Sequence, residues 1–420
     1  MNGASLRILA GLLIGLTGGA LLAGKPEGRL AMTLALPVGK LWLNALTMTV
    51  VPLVFSLLVS GIMGAAAQAK GGALASRSIL WFAVLSIATA LLSALVTTLA
   101  MQAVPLPQAA AALADWAGTG PILPASTQWL DGIVPTNVVK SAVDSAMVPL
   151  VVFAMLFGIA ATRIEDDLSR QIERLFSAIA QIMLGIVGWV LWVAPLGVLA
   201  LAIGVGVGLG GSAAGVLAHY VLIVVIACLA SIVLSYAAAI VFGHLRLSVF
   251  AKAALPAQVI AVSTQSSLAS LPAMVEASGP LGVDKTNAGV VLPLAVSLFR
   301  AASAAANVAV AVYLAHVHGV ELGVGSLLLG AMVAAVVSVA AVGLPAQVSF
   351  FAVIAPVCLA MGVPVTLLPL LLAIETLPDV FRTLGNVTAD LAVTRIVGRR
   401  RDADPATQSG DAQTGRAPSA

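Results

Sequence analysis

The chain has 420 residues, of which 60% are hydrophobic and only 9% are charged, and its mean hydropathy is +1.10. A soluble domain has about a quarter of its residues charged, so this composition excludes a water-soluble globular protein and indicates lipid as the solvent. The net charge of +3 is too small and too scattered to indicate a nucleic-acid partner. The two cysteines, Cys228 and Cys358, lie in apolar runs without metal-ligand spacing, and we interpret them as reduced packing residues.

The predicted elements begin with an apolar run that follows Arg7 and extends to Ala23. A signal peptide would have a similar start, but this run belongs to a chain that is apolar throughout, so we predict an uncleaved first span. Apolar runs long enough to cross a bilayer indicate roughly eight spans in all. They are predicted near residues 6–24, 43–66, 79–104, 147–162, 178–206, 214–242, 286–315 and 364–396.

Two further apolar stretches, 250–280 and 326–362, are interrupted near their centres, by Ser263-Thr264-Gln265-Ser266-Ser267 and by Gly343-Leu344-Pro345-Ala346-Gln347. A polar break at mid-depth would leave backbone groups unsatisfied in lipid, so it must line a cavity within the protein. Paired interruptions of this kind point to a transport site. One interpretation is that the hydroxyls of the first break only bond back to their own helix. We favour the other, because free amides and hydroxyls at a hairpin tip make an anion-binding concavity.

Ionisable residues inside the predicted spans are rare, and such residues are functional by default because an ionised group in hydrocarbon is unfavourable by several kcal/mol. They are Arg300, Glu375, Asp379, Arg382 and Asp390, with His219 near one span end. The spacing of the last four, together with Asn386, stacks them on one helix face. Internal pairing of Asp379 with Arg382, and of Asn386 with Asp390, is one interpretation. We favour a ligand site, because the planar fork of Arg382 suits a carboxylate and apolar residues would give a purely structural span more stability.

Several segments, which follow one another along nearly the whole chain, carry a family resemblance. They are Val51-Pro52-Leu53-Val54-Phe55, Pro135-Thr136-Asn137, Ala194-Pro195-Leu196-Gly197, Ser263 to Ser267 with Leu271-Pro272, Leu292-Pro293-Leu294, and the stretch from Asp379 to Asp390. In these segments, and most specifically in the last, the chain resembles the dicarboxylate/amino acid:cation symporter family, the glutamate transporter homologues.

The resemblance implies an all-α polytopic membrane protein with eight transmembrane helices plus two re-entrant helical hairpins, assembled as a homotrimer. Residues 1–249 would mainly form a trimerisation scaffold of spans 1–6, with spans 3 and 6 shared with the transport domain. Residues 250–397 would form the core transport domain, with hairpin 1, span 7, hairpin 2 and span 8. Residues 398–420 are expected to be a disordered cytoplasmic tail.

The resemblance also implies a substrate site and an outer gate. The substrate site would consist of Ser266, Ser267, Ser303, Asp379, Arg382, Thr383 and Asn386, and the gate of Gly343, Leu344, Pro345, Ala346 and Gln347. Arg382 would take a side-chain carboxylate of the substrate and Asp379 an α-amino group. Asn386 and Thr383 would take the backbone carboxylate or the amide edge.

The chain departs from the family pattern at the coupling ion. Where the family carries Asn-Met-Asp-Gly, with oxygens that bind sodium, this chain has Phe299-Arg300-Ala301-Ala302. Because Asp390 is retained, we interpret Arg300 as its fixed countercharge, with Glu375 as the candidate proton carrier; the alternative is that Arg300 extends to an interface. The coupling ion, proton or sodium, therefore stays open. We expect no cofactor and no certain metal site, since the sodium ligands are lost.

These observations favour a secondary active transporter of an acidic amino acid or C4-dicarboxylate, operating by an elevator-type mechanism, proton-coupled or by exchange. The expected partners are a small anionic substrate and the lipid bilayer. Lys and Arg concentrate on one side of the spans, which predicts a multi-pass protein of the inner membrane with both termini in the cytoplasm. An anion channel or a non-transporting ligand sensor on the same fold are the alternatives. No catalytic arrangement has workable spacing, so we do not expect an enzyme.

Overall fold

A computed structural model describes residues 3–69, 72–110, 113, 133–340 and 346–399. These residues form helices joined by short connections, and the one extended pairing among them is an isolated bridge between Val283 and Arg399. Six helical segments in this part of the chain are long and apolar enough to cross a membrane. The expected all-α polytopic architecture is therefore confirmed.

The helices follow one another with few long connections. In the first part of the chain they are α1 Gly3–Leu22, α2 Pro26–Thr47, α3 Val50–Ala69, α4 Ala73–Ala103, α5 Val138–Val143, α6 Met147–Ala161, α7 Asp166–Trp192, α8 Ala194–Leu209 and α9 Ala213–Val241. In the second part they are α10 Leu247–Thr264, α11 Ser267–Ser278, α12 Lys285–Leu298, α13 Ala301–Val317, α14 Val324–Ala340, α15 Ala346–Ala360, α16 Leu368–Leu372 and α17 Thr376–Gly398.

Three predicted spans are wrong in their boundaries. The span near 364–396 is divided between α16 and α17. The span near 43–66 is divided between the end of α2 and the whole of α3. The span near 178–206 is divided at Val193, and Pro195 lies in the first turn of α8. Proline has no N–H to continue a preceding helix but fits a first turn, where that group would have no partner. An apolar run alone does not reveal such a break.

The first predicted interruption does occur. The stretch 250–280 forms α10 and α11, joined by a short turn in which Gln265 has a left-handed backbone with φ 54°. The stretch 326–362 forms α14 and α15, and the interval 341–345 between them lies outside the described residues. The span near 286–315 is broken at Phe299 and Arg300, between α12 and α13.

Three glycines allow α1 to lie directly on α8. Gly11, Gly15 and Gly19 are spaced one helical turn apart, and a Cβ atom on each would come within 2.4 to 2.6 Å of atoms on α8. Lipid tails are as apolar as leucine, so helices in a membrane associate through close van der Waals packing, which small residues permit. These glycines therefore fix the packing of the first helix.

Helix α13 is the centre of the C-terminal half. Every residue from Ala301 to Ala315 is buried, and α4, α9, α14 and α17 pack around it. Two side chains of α4 donate to its carbonyl groups: Thr89 Oγ1 lies 2.9 Å from the Ala301 oxygen and Ser93 Oγ lies 2.6 Å from the Ala305 oxygen. The break before α13 is thereby held between α4 on one side and α17 on the other.

Candidate functional site

The polar face of the last helix lies inside the protein. Glu375, Asp379, Arg382, Asn386 and Asp390 are each between 0% and 6% exposed. Helix α17 packs against α9, α10, α12 and α13, so these side chains meet protein groups. The sequence prediction of an inward-facing polar row on this helix agrees with this placement.

Arg382 lies between two carboxylates. Its Nη2 forms an ion pair with Glu375 Oε1, and its Nη1 lies 3.8 Å from Asp379 Oδ1. The guanidinium Nε is buried and, in the part of the chain that the structure describes, has no hydrogen-bond partner. A guanidinium has five N–H donors in a fixed plane, so Arg382 is paired on both terminal nitrogens and retains an unused donor.

Glu375 has a second partner from another helix. The hydroxyl of Tyr220, on α9, donates to Glu375 Oε2 at 3.0 Å. Tyr220 is fully buried, and its ring packs edge-on against Tyr313 of α13 with 5.3 Å between the ring centroids. The sequence analysis did not single out Tyr220. The sequence feature that could have identified it is a tyrosine within an apolar span, because a buried tyrosine hydroxyl needs a hydrogen-bond partner.

Asn386 connects α17 to the beginning of α13. Its Oδ1 accepts hydrogen bonds from the backbone N–H groups of Ala302 and Ser303, at 3.0 and 3.2 Å, and its Nδ2 donates to Ser303 Oγ at 3.0 Å. The first N–H groups of a helix have no partner within that helix, so Asn386 caps α13 from outside. The alternative pairing of Asn386 with Asp390 does not form. The substrate-binding roles of Asn386 and Ser303 stay predictions.

Asp390 is the most isolated charged group of the row. It is fully buried, and neither carboxylate oxygen has a hydrogen-bond partner among the residues that the structure describes. Arg300, half-buried in the break between α12 and α13, is the charged residue whose field acts on Asp390. No ion pair joins the two side chains in the described part of the chain, and Arg300 Nε is also without a hydrogen bond. Any compensation between them acts through space, and the countercharge role of Arg300 remains a prediction.

The serines of the first interruption make local contacts. Ser266 Oγ accepts a hydrogen bond from the Ala269 N–H at 3.2 Å and caps α11, and Ser267 is the first residue of that helix. Within the described residues, neither side chain bonds to α17. Among the described residues, the side-chain hydrogen bond between this hairpin and α17 comes instead from Gln258, whose Nε2 donates to Thr388 Oγ1 at 2.9 Å. Gln258 was not singled out from the sequence.

The remaining predicted site residues are distributed as follows. Thr383 is buried, next to Arg382 in the chain. Of the gate, Ala346 and Gln347 begin α15, whereas Gly343, Leu344 and Pro345 lie outside the described residues. No group of three or more His, Cys, Asp or Glu side chains within the described ranges could hold a metal ion.

Comparison with known proteins agrees with this architecture. Residues 4–400 match the model of the sodium:dicarboxylate symporter family. The chain is 25% identical to the proton/glutamate-aspartate symporter of Escherichia coli K12, over 94% of this chain and 92% of the relative. It is 24% identical to C4-dicarboxylate transport protein 1 of Pseudomonas paraeruginosa, over 94% and 88%. It is also 24% identical to the proton/sodium-glutamate symport protein of Geobacillus stearothermophilus, over 92% and 91%.

Proposed function

Because the chain belongs to the sodium:dicarboxylate symporter family, we propose that it is a secondary transporter of a small carboxylate substrate, either an acidic amino acid or a C4-dicarboxylate. The relatives described above bear names with both kinds of substrate. The observation that carries the proposal is Arg382, a guanidinium only 5% exposed with an unused Nε donor. Arginine presents a planar fork that matches a carboxylate in two hydrogen bonds.

The substrate would bind where the helices are interrupted. Its carboxylate would meet Arg382, and an α-amino group, if present, would meet Asp379, which lies on the same face of α17. The first hairpin, with Ser266 and Ser267, and the second hairpin, which includes residues 343–347, would close over it. Burial of the charged ligand between these segments would exclude water and so strengthen each ionic contact.

We further propose an elevator-type mechanism, in which residues 250–397 move as a transport domain against a trimeric scaffold. Helix α7 has an exposed apolar stripe that a neighbouring subunit of such a scaffold would cover. Its side chains Leu168, Leu175, Ile182 and Trp189 repeat every seven residues and are between 49% and 75% exposed. Such a stripe fits either lipid or the same helix of a second copy. The excess of Lys and Arg on one side supports an inner-membrane orientation with cytoplasmic termini.

The test is uptake of labelled aspartate and succinate into proteoliposomes that contain the purified protein. We expect saturable uptake by the wild type and its loss in Arg382→Lys, because an ammonium group cannot present the same fork. Removing one partner of a buried charge pair weakens binding by about 2–5 kcal/mol. Arg170→Lys, an exposed substitution on α7, is the matched control and should transport normally.

Three outcomes would contradict the proposal. High-affinity acidic-substrate uptake by Arg382→Lys would remove the site assignment. A linear, unsaturable anion current would indicate a channel. Binding without flux would indicate a ligand sensor. Size-exclusion chromatography of each variant would establish that loss of uptake is not loss of the folded protein.

A further inference from the structure

The two ends of the first hairpin, formed by α10 and α11, are held by one side chain of the last helix. Arg395 Nε donates to the Gly243 oxygen at 2.8 Å. Its Nη1 donates to the oxygens of Leu281 and Gly282, at 2.9 and 3.2 Å. We propose that Arg395 is a positioning residue, which fixes this hairpin on α17 and thereby places the serines of the hairpin tip beside the substrate site at Arg382. The inference rests on the proposed function, because that function assigns a substrate to Arg382.

The three carbonyl groups lie at both ends of the hairpin. Gly243 precedes α10, which begins at Leu247. Leu281 and Gly282 follow α11, which ends at Ser278. A guanidinium carries five N–H donors in a fixed plane, so one group can bind several carbonyls at once. The chain therefore enters and leaves the hairpin at the same side chain, and the two ends cannot separate without losing hydrogen bonds to it.

Glycines surround this side chain at places where a larger residue would not fit. A Cβ atom on Gly282 would lie 2.8 Å from Arg395 Nη1, and one on Gly243 would lie 3.0 Å from Arg395 Cγ. Gly282 also has a left-handed backbone, with φ 69°, which favours glycine. The backbone is therefore fitted closely around the guanidinium. This distinguishes Arg395 from a cation at a helix end that only extends to the membrane surface.

The position of Arg395 along α17 sets the height of the hairpin tip. Helix α10 packs against α17 and has 18 residues, which gives it a length of about 27 Å. The part of α17 between Asp379 and Arg395 is about 24 Å long at the same rise per residue. A hairpin anchored at Arg395 therefore extends to the level of Asp379 and Arg382. This brings Ser266 and Ser267 to the height of the proposed carboxylate site.

A second polar contact holds only the first arm of the hairpin. Gln258, on α10, donates to Thr388 Oγ1 at 2.9 Å and to the Tyr236 hydroxyl at 3.2 Å. These bonds tie α10 to α17 and α9, whereas Arg395 binds the backbone beyond both arms. Arg395 should therefore have the larger influence on α11, whose first residue is Ser267.

The test is equilibrium binding of labelled aspartate and succinate to the purified full chain. We expect Arg395→Gln to weaken binding by about ten- to hundredfold, because the charged ligand would lose a hydrogen bond from the hairpin tip. Arg395→Lys should lose less, since it retains a cation that can donate to a carbonyl but not the planar fork. Arg246→Gln removes an exposed cation beside the same end of the hairpin, and this matched control should bind as the wild type does.

A second substitution separates positioning from a merely structural role. Ser267→Ala should weaken binding in the wild type but have little further effect in Arg395→Gln, because the hydroxyl is then no longer held at the site. Such coupling appears as non-additivity in a double-mutant cycle. If Arg395 only stabilised the fold, the two losses of affinity would add.

Hydrogen–deuterium exchange tests the contact without any ligand. In Arg395→Gln, or in Arg395→Lys if the first variant does not fold, the amides of residues 260–270 should exchange faster than in the wild type. The amides of α1 and α8, which pack against each other away from the hairpin, should exchange at the wild-type rate.

The outcomes separate this inference from the proposed function. Wild-type affinity in Arg395→Gln, additive losses in the cycle, or unchanged exchange at the hairpin tip would each overturn the role of Arg395 and leave the transporter proposal intact. Wild-type affinity in Ser267→Ala would overturn the placement of the tip serine at the site. Absence of binding of both ligands by the wild type would overturn the proposed function, whereas the exchange measurement would still decide whether Arg395 holds the hairpin.

Discussion

At the scale of single residues, several polar groups of the last helix meet a partner from a different part of the chain. Tyr220 of α9 holds Glu375, and the amides of Ala302 and Ser303 at the start of α13 are held by Asn386. Buried polar groups are unfavourable when unpaired and specify one arrangement when paired. The site is therefore defined by contacts between helices rather than by the sequence of α17 alone.

The neighbouring carboxylate, Asp379, gives a prediction about substrate choice. If it receives an α-amino group, Asp379→Ser should weaken aspartate binding by about 1.5–3 kcal/mol, the range for a hydrogen bond to a charged group. Succinate has no amine and should lose much less. Competition of both ligands against labelled substrate measures the difference. Equal losses of binding affinity for the two ligands would show that the pocket does not recognise the amino group.

The charged residues of the site could be predicted from the sequence, whereas the partners Tyr220 and Gln258 could not. Arg382, Asp379 and Glu375 stand out because an ionisable group in an apolar span requires compensation. Tyr220 and Gln258 do not stand out, since hydroxyl and amide side chains also occur in membrane helices for local reasons. Their importance depends on which distant helix packs against them. The spacing of residues along one helix does not give that information.

At the scale of elements, interruptions marked by polar residues could be predicted, and interruptions within purely apolar sequence could not. The break at 263–267 is marked by hydroxyl and amide side chains. The break at Val193 is apolar on both sides and marked only by Pro195. The predicted spans include only the end of α2. Arg29 and Lys40 lower the hydropathy of the rest of this segment, which is nevertheless helical.

The crossing of α17 and α13 gives a prediction about stability. A Cβ atom on Gly385 would lie 2.5 Å from the Cβ of Ala302 and 3.1 Å from Ser231 Oγ. An alanine side chain cannot turn away, so Gly385→Ala should separate the two helices and destabilise the protein by about 1–3 kcal/mol.

Thermal unfolding of the purified variants, followed by tryptophan fluorescence, measures this effect. Gly289→Ala on α12 is the matched control, because nothing lies within 4 Å of its added Cβ. That substitution should leave the melting temperature unchanged or raise it, since alanine is the better helix former. An unaltered melting temperature for Gly385→Ala would show that the two helices are not in this close contact.

At the scale of the whole molecule, the balance of buried charge bears on the coupling ion. Asp390 is fully buried, its carboxylate has no hydrogen-bond partner among the described residues, and Arg300 is the cation whose field reaches it. If Arg300 is a tethered substitute for a mobile cation, uptake should not depend on sodium. Proteoliposomes assayed at fixed pH with choline replaced by sodium should give the same rate within experimental error. A saturable increase with sodium would refute the substitution.

The same hypothesis requires energetic coupling between the two residues. A double-mutant cycle of Arg300→Gln and Asp390→Asn, read from thermal stability, should give an interaction energy of about 0.5–3 kcal/mol. Simple additivity would indicate that Arg300 extends toward an interface instead. The cycle and the sodium assay are independent, because the first concerns stability and the second transport.

If Glu375 is the proton carrier, it determines how transport would respond to a voltage across the membrane. Aspartate carries one net negative charge, so its entry together with one proton moves no net charge. Succinate carries two, and with one proton it moves one negative charge inward. A potential that is negative inside would oppose succinate by about 2.3 kcal/mol per 100 mV and leave aspartate unaffected. A single glutamate beside Arg382 would thus make one substrate electrically silent and the other electrogenic.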